Sequence, residues 1–198
     1  MKTIKVTPDE MSARTVRFKK LDSYQQQHAS GGGIPLPILE KIAARRVYPM
    51  MVPANYSGRS AAAPLKGLPG LAVTIAECPP GDGPGLHCHE TTVENFFCLN
   101  GRFEIAWGDE GENSLVLEPL DMCSVPPGVS RKFTNVSDET ARLLVMIQIP
   151  TEKQEDRISY APQLGAEIEK QFGTEALAKL RDIGFKFDAG SEAVPGSY

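Results

Sequence analysis

Histidine is scarce in this chain, three in 198 residues, yet His87 and His89 stand one residue apart in GLHCHETTVENFFCLNG (85–101), with Glu94 shortly beyond. Imidazole and carboxylate are the groups that bind divalent transition metals or exchange protons near neutrality. On a helix, residues two apart point about 200° apart; on a strand they share a face. The surrounding texture is β, so His87 and His89 project together and Cys88 points the other way. Glu94 has the opposite parity. It joins the histidines only if the chain bends between Glu90 and Val93, where ETT admits a turn or bulge. Past that bend Glu94, Phe96 and Cys98 share one face. Two imidazoles and one carboxylate converging on a point form the donor set of the facial sites of non-haem iron oxygenases.

The elements that must position these residues begin at Gly70. LAVTIAEC, TVENFFCL, RFEIAWG, NSLVLEPL, MCSVPP, RKFTNV and ARLLVMIQIP follow one another, short, rich in β-branched and aromatic residues and separated by Gly, Asn, Asp or Pro. Residues 70–149 are therefore expected to form an all-β sandwich or barrel. Residues 1–69 read as an N-terminal arm and irregular extension. TVRFKKL (15–21) suggests a short strand, ILEKIAARR two helical turns, RVYPMMV a strand broken by Pro49, and SGGGIPLP (30–37) a linker; SGRSAAAPLKGLPG reads as a loop. Residues 150–198 form a C-terminal extension. Leu164, Ile168 and Phe172, then Leu177, Leu180 and Ile183, recur at helical spacing, and Pro162, Gly173 and Gly184 frame two short helices. The terminal SEAVPGSY is expected to be disordered.

Composition narrows the function classes. With 41% hydrophobic and 23% charged residues and a formal net charge of -4, the chain can bury a sizeable core but has no basic footprint for nucleic acid. It has no apolar run of membrane-spanning length and no apolar leader at MKTIKVTPDE, so a cytoplasmic location is expected. Four cysteines without CxxC spacing read as reduced, mostly buried thiols.

The same residues resemble a known family, the cupins. Gly81, His87, His89, Glu94 and Gly101 fit its first motif, G(x)5HxH(x)4E(x)6G, at every fixed position. In the second motif, G(x)5PxG(x)2H(x)3N, EPLDMCSVPPGVSRKFTN supplies Pro126, Gly128 and Asn135. Leu120 replaces the opening glycine, and Arg131 stands where the family has its fourth metal-binding residue, a histidine. The resemblance implies a double-stranded β-helix, or jelly roll, its metal held inside by His87, His89 and Glu94, and commonly a homodimer. Pro126 and Gly128 read as a tight turn. Phe96 suits core packing or substrate contact equally, and Cys98 reads as a small buried hydrophobe. His28, in a polar arm, would complete a site only if that arm folds over the barrel.

Arg131 offers donors only and cannot ligate a metal. Its parity points it inward, and a guanidinium about 4 Å from a divalent ion meets repulsion of about 8 kcal/mol at an effective dielectric of 20. Either a metal is bound and Arg131 grips an anionic substrate group, or no metal binds and Arg131 pairs with Glu94. Three functions follow. The first is a metal-dependent oxidoreductase, resembling the family's dioxygenases, that uses iron or manganese (zinc and nickel being the alternatives) on a small, carboxylate-bearing molecule, with Arg131 in a catalytic role and Arg131 and Phe96 contacting the substrate. The second is an isomerase or lyase acting on a small polar molecule, with or without metal. The third is a non-catalytic small-ligand barrel. None of them involves nucleic acid or a membrane.

Overall fold

The computed structural model describes residues 1–29, 34–58, 60–150, 156–182 and 184–190. The linker residues 30–33, Ile183 and the tail SEAVPGSY lie outside the described residues, as does the His28 side chain. The N-terminal extension holds α1 (Pro8–Ala13), α2 (Tyr24–Ala29) and α3 (Leu36–Ile42), then β1 (Arg46–Pro53) and β2 (Leu65–Gly67). The expected β segment supplies β3 (Leu71–Cys78), β4 (His87–His89), β5 (Val93–Asn100), β6 (Phe103–Trp107), β7 (Asn113–Leu117), β8 (Met122–Val125), β9 (Ser130–Asn135) and β10 (Ala141–Gln148). β11 (Ile158–Tyr160), α4 (Pro162–Phe172) and α5 (Thr174–Asp182) follow.

The strands form two sheets, ordered β2-β1-β3-β10-β5-β8 and β11-β4-β9-β6-β7, antiparallel except where β1 meets β2. This is a β-rich, jelly-roll-like double sheet with a few helices. Apolar residues on the facing sides meet in one core: Phe96, Cys98 and Leu143 from one sheet, Phe103, Ile105 and Phe133 from the other. Phe133 stands edge-on to both Phe96 and Phe103, with centroids 5.4 and 6.0 Å away, an arrangement suited to the ring quadrupoles. A second core, Ile38, Ile42, Tyr160, Ile168 and Leu180, fastens α3, α4 and α5 to β11.

The sheets therefore extend beyond residues 70–149, gaining β1 and β2 from the N-terminal side and β11 from the C-terminal side. Pro49 does not break β1. The strand runs through it with a register shift between Pro49 and Met51. Pro49 stands opposite Thr74 of β3, but the Val47 N–H two residues before it points away from β3 to Gln25, and β2 pairs only from Met51 onward, so the missing N–H falls on a side where no described strand pairs. TVRFKKL is not a strand: Phe18–Lys20 is a single 3-10 turn that lays the Phe18 ring on Tyr48 and beneath Arg142. α1 was also unforeseen, although TPDE carries its capping box, Thr7 and Glu10 bonding reciprocally. The two C-terminal helices stand where the spacing put them.

Candidate metal centre

β4 carries the histidines. His87 and His89 are buried while Cys88 between them is half-buried, the alternation expected of a strand. The backbone bends at Glu90 and Thr91, and this bend takes the chain from one sheet to the other. Glu94 then enters the facing sheet on β5, paired with Ile147 and Val125, and turns its carboxylate inward. Two motif glycines hold the turns that follow β5 and precede β9. Gly101 has φ 70°, and a Cβ there would stand 2.5 Å from that of Ala141; Gly128 has φ 79° and donates its N–H to the His89 carbonyl, 2.8 Å away. Asn135 serves structure: its amide donates to the Cys78 and Glu139 carbonyls, and its oxygen accepts from the Ser137 N–H.

Glu94 Oε2 lies 3.9 Å from Nε2 of His87 and 3.9 Å from Nε2 of His89. One ligand atom from each residue falls within 4.8 Å of the others, the one such cluster found among the described residues. His87 Nδ1 donates to the Gly85 carbonyl at 2.8 Å. A carbonyl only accepts, so the His87 lone pair rests on Nε2, facing Glu94. Burial pushes His87 down to about 3, helped by the Arg131 and His89 charges, so the ring is neutral and competent to ligate at physiological pH. Burial works to raise the Glu94 pKa, but His89, Arg131 and His87 outweigh it and hold the carboxyl below its usual range. Two neutral-capable imidazole nitrogens and an ionised carboxylate, buried together, fit a divalent transition metal.

Arg131, on β9, is cross-strand from His87 and 0% exposed. Its Nε donates to Glu94 Oε2 at 3.0 Å and Nη1 to the Val129 carbonyl at 3.1 Å; Nη2 has no partner among the described residues. Of the five site residues expected from sequence, His87, His89, Glu94 and Arg131 are brought together. Phe96 is two residues from Glu94, deep in the aromatic core.

A cavity of about 450 Å³ opens above the cluster. Its walls are mostly apolar, with Val47, Ala72, Ala76, Val145 and Ile147 beside aromatic rings such as Phe133 and Tyr160; His87, His89, Glu94, Thr92 and Asp156 are polar groups within it, and Arg157 and Lys186 also border it. Arg131 and Phe96 are not among its lining residues. Sequence reasoning missed Asp156. Its carboxylate lies against His89 Nδ1, Oδ2 to nitrogen 2.5 Å, and is held below its ordinary pKa by that ring and by Thr91 and Thr92, against the opposing effect of burial. The polar stretch TEKQED has no periodicity that would announce it. The cysteines are free: Cys78 and Cys98 are buried, Cys88 and Cys123 half-buried, and burial raises all four thiols, so none is a ready nucleophile.

Fold and cluster together define a double-sheet β protein with an internal His-His-Glu site able to chelate a metal. Residues 74–147 match the cupin domain family, and this part of the chain is a single cupin domain. No curated protein matches the chain. Among solved structures, it is similar to a sugar phosphate isomerase of the cupin superfamily from Silicibacter pomeroyi, at 19% identity over 58% of this chain and 65% of that one, TM-score 0.42. It is also similar to a cupin 2 conserved barrel domain protein from Salinispora arenicola, at 17% identity over 52% and 74%, TM-score 0.40. The chain spans less than two thirds of the Silicibacter protein, and 58% of a further chain it matches, from Acidithiobacillus ferrooxidans. No helix among the described residues is long and apolar enough to cross a membrane.

Proposed function

We propose that the protein is a metal-dependent enzyme of the isomerase or lyase type, acting on a small molecule with an apolar body and an oxygen-donor head. The observation that carries this reading is the convergence of His87, His89 and Glu94 within a cavity whose remaining walls are mostly apolar. A divalent ion held by these three residues would polarise a carbonyl or carboxylate oxygen at its open positions. Val47, Ala72, Val145 and Ile147 would hold the substrate's apolar part and exclude water from the polar head. Lys186 at the border favours a carboxylate on the substrate, whereas the Arg157 guanidinium is already paired with Asp188.

Arg131 bears on the type of chemistry. By hydrogen-bonding Glu94 Oε2 it takes up part of the carboxylate's charge, so Glu94 is a weaker donor than a free carboxylate. A weakly donating set favours polarising a substrate over surrendering an electron to dioxygen. In this reading Arg131 acts as counter-ion to Glu94, and Phe96 packs the core beneath it. The dioxygenase reading rests on a different observation, the donor set itself, which is that of facial non-haem iron sites.

Protein loaded with ferrous iron and exposed to air with a panel of apolar-bodied carboxylic and keto acids separates the two. The expected result is conversion without dioxygen uptake, retained when zinc or manganese replaces iron. Substrate-dependent dioxygen uptake confined to the iron form would overturn the isomerase or lyase reading. A homodimer in the cytoplasm belongs to the same reading, and light scattering at micromolar concentration tests the dimer.

A further inference from the structure

We infer that Asp156 is a positioning residue of the metal site: it sets which nitrogen of His89 carries the proton, so a segment outside the family-matched residues decides whether His89 can ligate. This rests on the reading of the cluster as a metal site. The Asp156 carboxylate collects four donors. Oδ1 accepts from the Thr91 N–H at 2.9 Å and the Thr91 hydroxyl at 3.0 Å; Oδ2 accepts from the Thr92 hydroxyl at 2.8 Å and faces His89 Nδ1 at 2.5 Å. An ionised carboxylate accepts only, so Nδ1 must carry a proton, and the neutral ring then presents its lone pair at Nε2, toward Glu94. The two histidines are thus set by different means. His87 uses the Gly85 carbonyl, two residues away, while His89 depends on a residue from beyond β10. β11 delivers it: Ile158 pairs with His89 and Tyr160 with His87, and the Glu90 N–H donates to the Arg157 carbonyl at 3.0 Å. The second core, in which Tyr160 meets Ile168 and Leu180, holds β11 in place.

An amide at 156 sharpens the argument, because asparagine keeps the shape but offers one accepting atom and one donating group. The Thr91 N–H cannot turn away, so the amide oxygen goes to it and the NH₂ faces His89. The ring must then accept at Nδ1 and carry its proton on Nε2, pointing an N–H at Glu94 where the lone pair had been. Asp156→Asn should therefore harm the site more than Asp156→Ala, in which water or the Thr92 hydroxyl can accept from Nδ1.

The test reads two quantities. In metal-free protein in alkaline buffer, imidazole nitrogen shifts by NMR should show the Nδ1–H form at His89 in wild type and the Nε2–H form in Asp156→Asn, with His87 unchanged. Competition titration with zinc should show about 10–100-fold weaker binding for Asp156→Asn, the loss typical of a disturbed outer partner, and a smaller loss for Asp156→Ala. An unchanged His89 proton position, or wild-type affinity in either variant, overturns the inference while leaving the metal site intact. Absence of zinc binding in the wild type overturns both.

Discussion

Replacing Arg131 by methionine, of similar length and neutral, isolates its charge. Arg131 is fully buried and gives Glu94 a charged hydrogen bond, the one its carboxylate has among the described residues. Its loss leaves Glu94 enclosed with two imidazoles 3.9 Å away. Removing one partner of a buried ion pair costs about 3–5 kcal/mol. Nη2, without a partner among the described residues, leaves with the arginine, and relief of that group, about 1 kcal/mol, moves the expectation to the lower end, about 3 kcal/mol. For a chain of this size each kcal/mol moves Tm by about 2–4 °C, so chelator-treated Arg131→Met should melt roughly 6–12 °C below wild type treated alike. A divalent ion supplies the missing positive charge. Metal at about 1,000 times Kd adds about 4 kcal/mol, and the variant, whose Glu94 is no longer shared, should bind more tightly and gain more than wild type. Differential scanning fluorimetry with and without zinc or manganese measures both effects. Equal melting in chelator, or an equal response to metal, would refute the counter-ion role of Arg131.

Arg131→His would place an imidazole where the family's fourth ligand stands and remove a positive charge, so divalent metal affinity measured by titration should rise. Acid should destabilise the fold earlier than its carboxylates alone require. Unfolded His87 takes a proton near pH 6.5 but the folded ring only near 3, so the unfolded state binds more protons between these values and stability falls as pH drops through them. The depressed Glu94 acts in the same direction at lower pH. Urea midpoints should register a loss of roughly 3–5 kcal/mol across that window, and His87→Gln should flatten its upper part. Leu120 is 73% exposed at φ 77°, in the left-handed region, so Leu120→Gly should relieve about 1 kcal/mol of strain at little cost in burial and raise Tm by about 2–4 °C.

The part of the site that lies along one stretch of chain was legible because strand parity is a local rule. It paired His87 with His89, excluded Cys88, and required a bend before Glu94. That the bend also changes sheets was not legible, since parity says which face a residue occupies and nothing about which sheet. Arg131 was readable as inward-facing, but the choice between substrate and Glu94 as its partner depends on a distance across the fold. Asp156 was invisible for the same reason, more acutely. It reaches His89 across 67 residues of chain through a three-residue strand too short to carry a periodic signal. Phe18 misled because TVRFKKL has strand composition, yet packing of a single ring on Tyr48 and Arg142 settles its conformation.

The account turns on whether His87, His89 and Glu94 hold a metal. The most direct measurement is plasma emission analysis of untagged protein, before and after incubation with a divalent metal and desalting, beside His87→Ala and His89→Ala. The account predicts about one divalent ion per wild-type chain and none in either variant, since two remaining protein ligands seldom retain a labile ion. Circular dichroism should show both variants folded, because the aromatic core between the sheets does not depend on the ion. Wild-type protein that takes up no metal, or variants that retain it in equal amount, would contradict the central claim.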